Sequence, residues 1–384
     1  MKILISAQSY PTPKVQLAAF IAVLAEEMTR QGIEVTVIAP QSLTMCLRHK
    51  IPLTPQKSIV DVETKEGKRK MTILRPWSLT FGQGRFFNMS QRMDRWVINN
   101  TAKKLKERPD VVYSHFWWSV ENILDYAKVN HLPSFVATGE DEIDIHRHLS
   151  KERIGELSKE MRGVICVSSK NRDESIGAGL TDFAKCIVLP NAIDENVFRK
   201  MDKVYARKLL GYCNDDFIVA YCGRFNERKG GKRVSDAISL IGDERIKSIF
   251  IGSQAGGPLV DPNCEGILFK GRLPHNKIPI YLNAADVFVL PTLGEGCSNS
   301  IVEAMACGLP IISSDLSFNY DILNDKNSIL VDPMTVQEIA DAIVTLRDDN
   351  QLRERMEKAS LDVASELTIS RRVGKIIEFI KERM

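Results

Sequence analysis

The 384-residue sequence lacks several features that define common protein classes. It has no run of 18 or more apolar residues, so we expect no membrane-spanning helix. Its first strand-like run is not followed by Gly-x-Gly-x-x-Gly, which disfavours a nicotinamide dehydrogenase. No Asp-x-Asp pair follows a strand, and no group of ligand residues has the spacing of a zinc or iron site. We therefore expect neither a metal nor another cofactor.

The eight cysteines show no pairing pattern. No Cys-x-x-Cys occurs, and several cysteines lie in apolar runs. Such thiols are typical of small core residues in a reducing compartment rather than of a disulfide framework. The start, Met1–Ser6, becomes polar too soon for a secretory signal. We therefore predict a cytoplasmic protein.

Positive charge is concentrated at the front of the chain. Residues 1–110 carry 18 Lys and Arg against 9 Asp and Glu, although the net charge is only +3. Residues 68–108 combine cations with aromatic side chains: Lys68, Arg69, Lys70, Arg85, Arg92, Arg95, Lys103 and Lys104 with Trp77, Phe81, Phe86, Phe87 and Trp96. This combination suits an anionic membrane surface or a phosphorylated acceptor. A solvated helix face with core aromatics fits equally well, and no motif indicates nucleic acid.

Short apolar runs alternate with amphipathic runs along the chain, which predicts parallel sheets covered by helices on both faces. A Pro-Asn turn at Pro190–Asp194 interrupts this alternation, which then restarts. We predict a first domain over 1–195, a second over 196–365 and a terminal helix within 366–384 that packs back toward the first domain. Two doubly wound domains would bind ligand in the cleft between them.

The most informative segment is Glu295-Gly-Cys-Ser-Asn-Ser-Ile-Val-Glu303, which follows a strand-like run and enters a predicted helix. Open α/β sheets bind anionic ligands at such a place, because free amides and the helix dipole converge there. Glu303 shares a helix face with Asn299, four residues before it. Taken alone, the two glutamates are explained better by a solvent-exposed helix face and an ordinary loop than by a ligand site.

Further motifs around this segment change that interpretation. In chain order they are Leu189-Pro-Asn-Ala-Ile-Asp194, Tyr221-Cys-Gly-Arg-Phe-Asn-Glu-Arg-Lys-Gly230, Phe269-Lys-Gly-Arg-Leu273 with Tyr281-Leu-Asn-Ala-Ala-Asp286, and Asn327-Ser-Ile-Leu-Val-Asp-Pro333. The ordered set, over residues 187–335, closely resembles the retaining GT-B glycosyltransferases of family 4, also called glycosyl transferases group 1. The resemblance implies an α/β fold of GT-B type, with two doubly wound Rossmann-like domains and an interdomain cleft.

The first half resembles the family less. The family's glycine-rich loop after the first strand is here Ala7-Gln-Ser-Tyr-Pro-Thr-Pro13, without glycine. Its frequent His-Gly pair after the fourth strand is here Thr138-Gly139, so no histidine can be assigned to that position.

The resemblance assigns donor binding to the second half. Cations that match Arg224 and Lys229 hold the donor diphosphate in the family, and fixed cations can stabilise a departing phosphate without a metal. The ribose hydroxyls are assigned to Glu303, the sugar hydroxyls to Glu295 and the base to Arg272 and Leu273. The set is completed by Gly296, Cys297, Ser298, Asn299 and Ser300. Arg224, Lys229 and Glu295 are the predicted catalytic residues; each alone also fits a surface charge or a loop.

Five residues of the first half are predicted to line the acceptor side: Thr138, Gly139, Glu140, Asp141 and His115. A capped helix start explains the first four equally well. A core or loop histidine explains His115 better, since three aromatic residues follow it.

We therefore predict a glycosyltransferase of hexosyltransferase type, cytoplasmic or peripheral on the inner face of the membrane. It would transfer a sugar, with retention and without metal, from a nucleoside diphosphate sugar, first of all a UDP-sugar. The acceptor would be a hydroxyl of a glycan or lipid-linked intermediate in bacterial-type surface polysaccharide or glycolipid synthesis. Two alternatives remain: a sugar-nucleotide epimerase of the same architecture, and a non-catalytic binding partner.

Overall fold

A computed structural model of the protein describes residues 1–12, 18–81, 86–254 and 260–384. Two residues named above lie outside these ranges: Pro13, from the loop after the first strand, and Arg85, from the basic segment of residues 68–108. The chain forms two compact units. Unit 1 comprises residues 1–167, 171–189 and 369–384, and unit 2 comprises residues 168–170 and 190–368. The main division thus falls at Pro190, within the predicted Pro-Asn turn.

Unit 1 contains an eight-stranded sheet within the described residues. The strands of unit 1 are β1 (Lys2–Ser6), β2 (Glu34–Ile38), β3 (Gln41–Ser42), β4 (Lys57–Thr64), β5 (Gly67–Leu74), β6 (Trp77–Ser78), β7 (Val111–His115), β8 (Ser134–Thr138), β9 (Met161–Cys166) and β10 (Cys186–Val188). β3 and β6 form a separate two-stranded pair, and the other eight strands form the sheet. The order is β10-β9-β8-β7-β1-β2-β5-β4, and neighbouring strands are parallel except β4 and β5. The neighbouring strands β7 and β8 are buried along their whole length, as expected for a parallel sheet that is covered on both faces.

The helices of unit 1 connect these strands and cover the sheet. They are α1 (Ala19–Arg30), α2 (Leu43–Arg48), α3 (Phe87–Ala102), α4 (Trp117–Val129), α5 (Lys151–Glu160) and α6 (Ser169–Gly177). The last helix of the chain, α13 (Ile369–Lys381), also belongs to unit 1 and packs on α1 and β9. The Phe379 ring lies against Phe135 and Gly163, where a side chain at residue 163 would leave no room for it.

Unit 2 contains a six-stranded sheet in which all neighbouring strands are parallel. Its strands are β11 (Phe217–Cys222), β12 (Ile246–Ile251), β13 (Ile267–Gly271), β14 (Val287–Leu290), β15 (Ile311–Ser314) and β16 (Ser328–Val331), in the order β13-β12-β11-β14-β15-β16. Its helices are α7 (Lys203–Leu210), α8 (Gly231–Ile241), α9 (Ile278–Ala284), α10 (Asn299–Ala306), α11 (Val336–Asp348) and α12 (Asn350–Glu366). Sequential parallel strands joined by helices are the pattern that the alternation predicts.

One edge of the first sheet departs from the predicted all-parallel arrangement. The hairpin of β4 and β5 is antiparallel, and Lys68 of the basic segment lies on it. The Nζ of Lys68 is 3.1 Å from a carboxylate oxygen of Glu63, its cross-strand partner. Part of the predicted positive surface is therefore neutralised within the hairpin.

Candidate active site

The carboxyl ends of β11 and β14 are neighbours in the second sheet, so the loops that follow them meet. The backbone N–H of Leu293 donates to the Arg228 carbonyl at 2.8 Å, and Arg228 Nη1 donates to the Gly294 carbonyl at 2.5 Å. The two motif loops, 223–230 and 291–298, are thus joined to each other. This contact brings the loop with Arg224 and Lys229 beside the loop with Glu295.

Two glycines are required by the close approach of these loops. A side chain on Gly252, after β12, would place its Cβ 1.9 Å from the Gly223 carbonyl oxygen. Gly230 has a φ of +75°, and a Cβ there would lie 2.6 Å from the Pro291 carbonyl oxygen. Glycine accepts both the positive φ and the backbone contact, since it has no Cβ.

Lys229 and Glu295, predicted for different parts of the donor, form an ion pair. The Lys229 Nζ contacts Oε1 of Glu295, and both side chains are at most 15% exposed. Thr292 Oγ1 donates to the same carboxylate oxygen at 3.0 Å. The Lys229 backbone N–H donates to Asn226 Oδ1 at 2.9 Å, which fixes the chain where the lysine leaves the loop.

Arg224 differs from Lys229 because its guanidinium is exposed and has no hydrogen-bond or ion-pair partner within the described part of the chain. Its backbone is held instead: the Tyr221 hydroxyl donates to the Arg224 carbonyl at 2.8 Å. Burial raises the pKa of Tyr221, so this hydroxyl keeps its proton at neutral pH. A fixed backbone with an available guanidinium is suited to an anionic ligand.

Glu303 lies on α10 with its side chain largely buried, and its partner is a residue that the sequence does not single out. Nε2 of His275 lies 2.9 Å from Oε1 of Glu303. This hydrogen bond raises the pKa of His275. The Phe198 ring packs against the imidazole with centroids 4.9 Å apart. No local signal links residues 275 and 303, since they come together only through the fold.

The segment between the two glutamates presents mainly backbone. Gly296, Cys297 and Ser298 are buried, whereas Asn299 is exposed at the first turn of α10. Nδ2 of Asn191, from the Pro-Asn turn, donates to the Cys297 carbonyl at 2.9 Å. The side chains of Ser298 and Ser300 are hydrogen-bonded to each other at 3.1 Å.

The two residues predicted to frame the base follow β13. Arg272 is exposed and Leu273 is partly buried. Gly271 before them accepts a hydrogen bond from the Gly252 backbone N–H at 2.8 Å, which ties this loop to the one after β12.

The residues predicted for the acceptor side lie in unit 1, at the carboxyl ends of β7 and β8. Glu140 is engaged within the fold, because its carboxylate accepts hydrogen bonds from Trp117 N at 2.9 Å, Gly139 N at 2.8 Å and Thr138 Oγ1 at 2.6 Å. Burial raises the pKa of Glu140, and these bonds act in the opposite direction. The carboxylate therefore caps the first turn of α4, a neighbouring helix, and Asp141 beside it is exposed.

His115 is a core histidine. It is buried among the rings of Phe20, Tyr113 and Phe116, with centroids 5.0, 6.2 and 5.1 Å away. Burial, helped by the nearby Arg372 cation, lowers the pKa of His115 to about 3, so the imidazole is neutral. The core alternative describes its surroundings better than a position on an open acceptor surface.

A polar cavity of about 260 Å³ between α3, α4 and the loop before α5 was not predicted. The rings of Trp118 and His148 lie 5.7 Å apart on its wall. Arg95 and Arg153 also line it, and both donate to Glu121 at 2.8 Å. Asn122 is 1% exposed, and its Oδ1 has no hydrogen-bond partner in the described ranges. The wall of the cavity thus combines aromatic surface with guanidinium groups, a combination that suits a polyhydroxylated ligand.

Two absences hold for the described residues. In these ranges no three His, Cys, Asp or Glu side chains are grouped so that they could hold a metal ion. No helix in the same ranges is both long enough and apolar enough to cross a membrane.

Comparison with protein families matches both units. Residues 17–197 match the model of Glycosyltransferase Family 4, and residues 216–349 match that of Glycosyl transferases group 1. The chain belongs to the group 1 glycosyltransferases. The prediction of an enzyme of glycosyltransferase type is confirmed.

Relatives and solved structures agree with this assignment. The chain is 26% identical over 352 residues to TuaC of Bacillus subtilis, named as a teichuronic acid biosynthesis glycosyltransferase, with 89% of this chain and 88% of the relative covered. It is 28% identical over 227 residues to an Escherichia coli UDP-Gal:alpha-D-GlcNAc-diphosphoundecaprenol alpha-1,3-galactosyltransferase, with 56% and 58% covered.

Among structures, sucrose-phosphate synthase of Thermosynechococcus elongatus has a TM-score of 0.76 at 16% identity, with 99% of this chain and 98% of that chain covered. Anabaena HepE with UDP and glucose has a TM-score of 0.72 at 18% identity, and both chains are covered completely. At these identities the likeness shows the fold, and the predicted GT-B architecture with two Rossmann-like domains is confirmed.

Proposed function

We propose that this glycosyltransferase transfers a hexose from a UDP-sugar to a hydroxyl of a glycan or lipid-linked acceptor, with retention at the anomeric carbon and without a metal ion. The product would serve surface polysaccharide or glycolipid synthesis. The names of the relatives support the acceptor class, since TuaC is named for teichuronic acid and the Escherichia coli enzyme for a diphosphoundecaprenol acceptor. UDP is favoured by that same name and by the HepE complex with UDP and glucose.

The observation that carries this proposal is the convergence of two cations and two carboxylates on one edge of the second sheet. The joined loops after β11 and β14 supply Arg224, Lys229 and Glu295, and α10 supplies Glu303. Cations match the charge of a diphosphate, and carboxylates match the hydroxyls of ribose and hexose. A nucleotide sugar presents these groups in one molecule.

In the proposed reaction the acceptor hydroxyl attacks the anomeric carbon on the face from which the nucleotide departs. The bond from that carbon to the β-phosphate oxygen breaks as the new glycosidic bond forms. The acceptor proton passes to the leaving phosphate, so the products are UDP and the glycoside. Arg224 and Lys229 would stabilise the charge that develops on the leaving group. No protein base is needed, which is compatible with Thr138-Gly139 in place of a His-Gly pair.

We further propose the cavity around Trp118 as a binding place for the acceptor sugar. The indole of Trp118 would pack on a sugar face, beside the His148 ring on the same wall of the cavity. Replacing Trp118 by leucine is then expected to raise the acceptor KM more than it changes kcat. Replacing exposed Leu209 by alanine in unit 2 is the matched control.

Contact with an anionic membrane is the remaining part of the proposal. Residues 67–93 contain no carboxylate, and Trp77, Phe81, Phe86 and Met89 in this segment are at least 43% exposed. Exposed aromatics among cations suit an anionic lipid surface. Sedimentation with vesicles should show binding when phosphatidylglycerol is present and none with phosphatidylcholine alone. Equal binding to both, or to neither, would contradict this part.

Calorimetric titration tests the donor assignment directly. UDP, GDP, ADP and their hexose derivatives are titrated into the protein with and without EDTA. We expect the tightest binding for UDP compounds and the same affinity in EDTA. Loss of binding in EDTA would contradict metal independence, and preference for GDP or ADP would contradict UDP. An epimerase would convert the bound UDP-sugar in the absence of acceptor, which NMR of the mixture would detect.

A further inference from the structure

Lys229 and Glu295 are each other's partner, although the proposed function gives them different ligand groups. Lys229 would bind the diphosphate, and Glu295 would bind hydroxyls of the transferred sugar. In the structure the Lys229 Nζ contacts Oε1 of Glu295, and Thr292 donates to that same oxygen. A nucleotide sugar that uses both side chains therefore competes with an existing ion pair.

The replacement is costly because the pair is largely buried. The Glu295 side chain is 8% exposed and that of Lys229 is 15% exposed. When a phosphate takes Lys229, the carboxylate keeps only the Thr292 hydroxyl as a partner among the described residues. A buried charge that loses its partner is strongly unfavourable. The loss is offset only if another hydrogen-bond donor reaches the Glu295 carboxylate.

An intact nucleotide sugar supplies such groups, whereas the product does not. The hydroxyls of the transferred sugar can donate to Glu295 while the phosphates occupy Lys229. A nucleoside diphosphate has phosphates but no sugar hydroxyls for this carboxylate. Arg224 remains available to both ligands, because its exposed guanidinium has no partner to exchange in the described part of the chain.

We propose that the Lys229–Glu295 pair determines specificity for the intact donor over the nucleoside diphosphate product. This inference rests on the proposed function and deepens it. Donor binding exchanges the ion pair for two sets of contacts, one from phosphate and one from sugar. After transfer, the sugar contacts are gone, Lys229 returns to Glu295, and the product is released more readily.

The test is a double-mutant cycle on UDP binding, with Glu295→Gln and Lys229→Met. Glutamine keeps the size of Glu295 and can still accept from Thr292, but it does not hold Lys229 as an ion pair. We expect Glu295→Gln to bind UDP about tenfold more tightly than the unchanged protein, because Lys229 becomes available. The same variant should bind the preferred UDP-sugar more weakly. Lys229→Met should weaken UDP binding, and adding Glu295→Gln to it should change nothing further.

The outcomes separate this inference from the proposed function. If Glu295→Gln binds UDP equally or less tightly, Lys229 serves carboxylate and phosphate together and the inference is wrong. A gain that persists in the Lys229→Met background also overturns it, because the gain would not come from Lys229. If the unchanged protein binds none of UDP, GDP or ADP, the proposed function itself fails. Urea unfolding of each variant checks that the fold is retained.

Discussion

Replacing Glu303 by glutamine tests the proposed ribose contact with almost no change in shape. Oε1 of Glu303 is held by His275 at 2.9 Å, and Oε2 has no partner among the residues that the structure describes. In the proposed complex Oε2 accepts from a ribose hydroxyl. A hydrogen bond to a charged group contributes about 1.5–3 kcal/mol. Glutamine can keep a neutral hydrogen bond, which is about half as strong, so we expect Glu303→Gln to bind UDP about three- to tenfold more weakly.

The assay compares UDP with 2′-deoxy-UDP by calorimetry. If Glu303 contacts the ribose diol, the variant loses much of the preference for UDP over 2′-deoxy-UDP, because the carboxylate that would bind the 2′-hydroxyl is absent. Glu244→Gln is the matched control, since Glu244 is exposed at the amino edge of the same sheet. Unchanged UDP affinity in a folded Glu303→Gln variant, with the preference for ribose retained, would refute the assignment.

Three further predictions concern single contacts. Arg224→Met should weaken UDP binding about tenfold and UMP binding much less, because the guanidinium is proposed to hold the diphosphate; an equal loss for both would contradict this. The hydrogen bond with Glu303 raises the pKa of His275 above 6.5, so the pair stabilises the fold below about pH 6.5 and loses this contribution as pH rises through the raised value. In urea titrations the stability difference between the protein and His275→Gln should shrink toward alkaline pH, and a constant difference would oppose the reasoning. Asp286→Ala should destabilise the fold by about 3–5 kcal/mol, because it leaves the buried Arg207 cation without the carboxylate 2.6 Å from Nη2; a urea unfolding change below about 1 kcal/mol would contradict this.

The sequence predicts the internal strands well because a buried strand appears in it as a short apolar run. The short apolar runs Lys2–Ser6, Ser134–Thr138 and Phe217–Cys222 coincide with the internal strands β1, β8 and β11. The hairpin of β4 and β5 was missed because most of its side chains are exposed or partly exposed, so neither run shows a clear apolar period. Edge strands carry this weaker signal, since one side of the strand has no neighbour.

The candidate site was predictable where the ordered motifs are local, as for Lys229, Glu295 and Glu303. Contacts between distant segments were not predictable. His275 reaches Glu303 across 28 residues, and the Glu140 carboxylate reaches Trp117 N across 23. No periodicity or spacing rule describes such a pair, because the sheet order decides which loops meet. The roles of the predicted site residues, and their placement in an interdomain cleft, stay predictions.

A crystal structure of the protein with UDP would show whether the proposed donor site is the one used. We expect the diphosphate against Arg224 and Lys229 and the ribose hydroxyls on Glu303, at the carboxyl edge of the second sheet. Well-ordered UDP bound elsewhere, or bound with Glu303 and both cations out of contact, would contradict it.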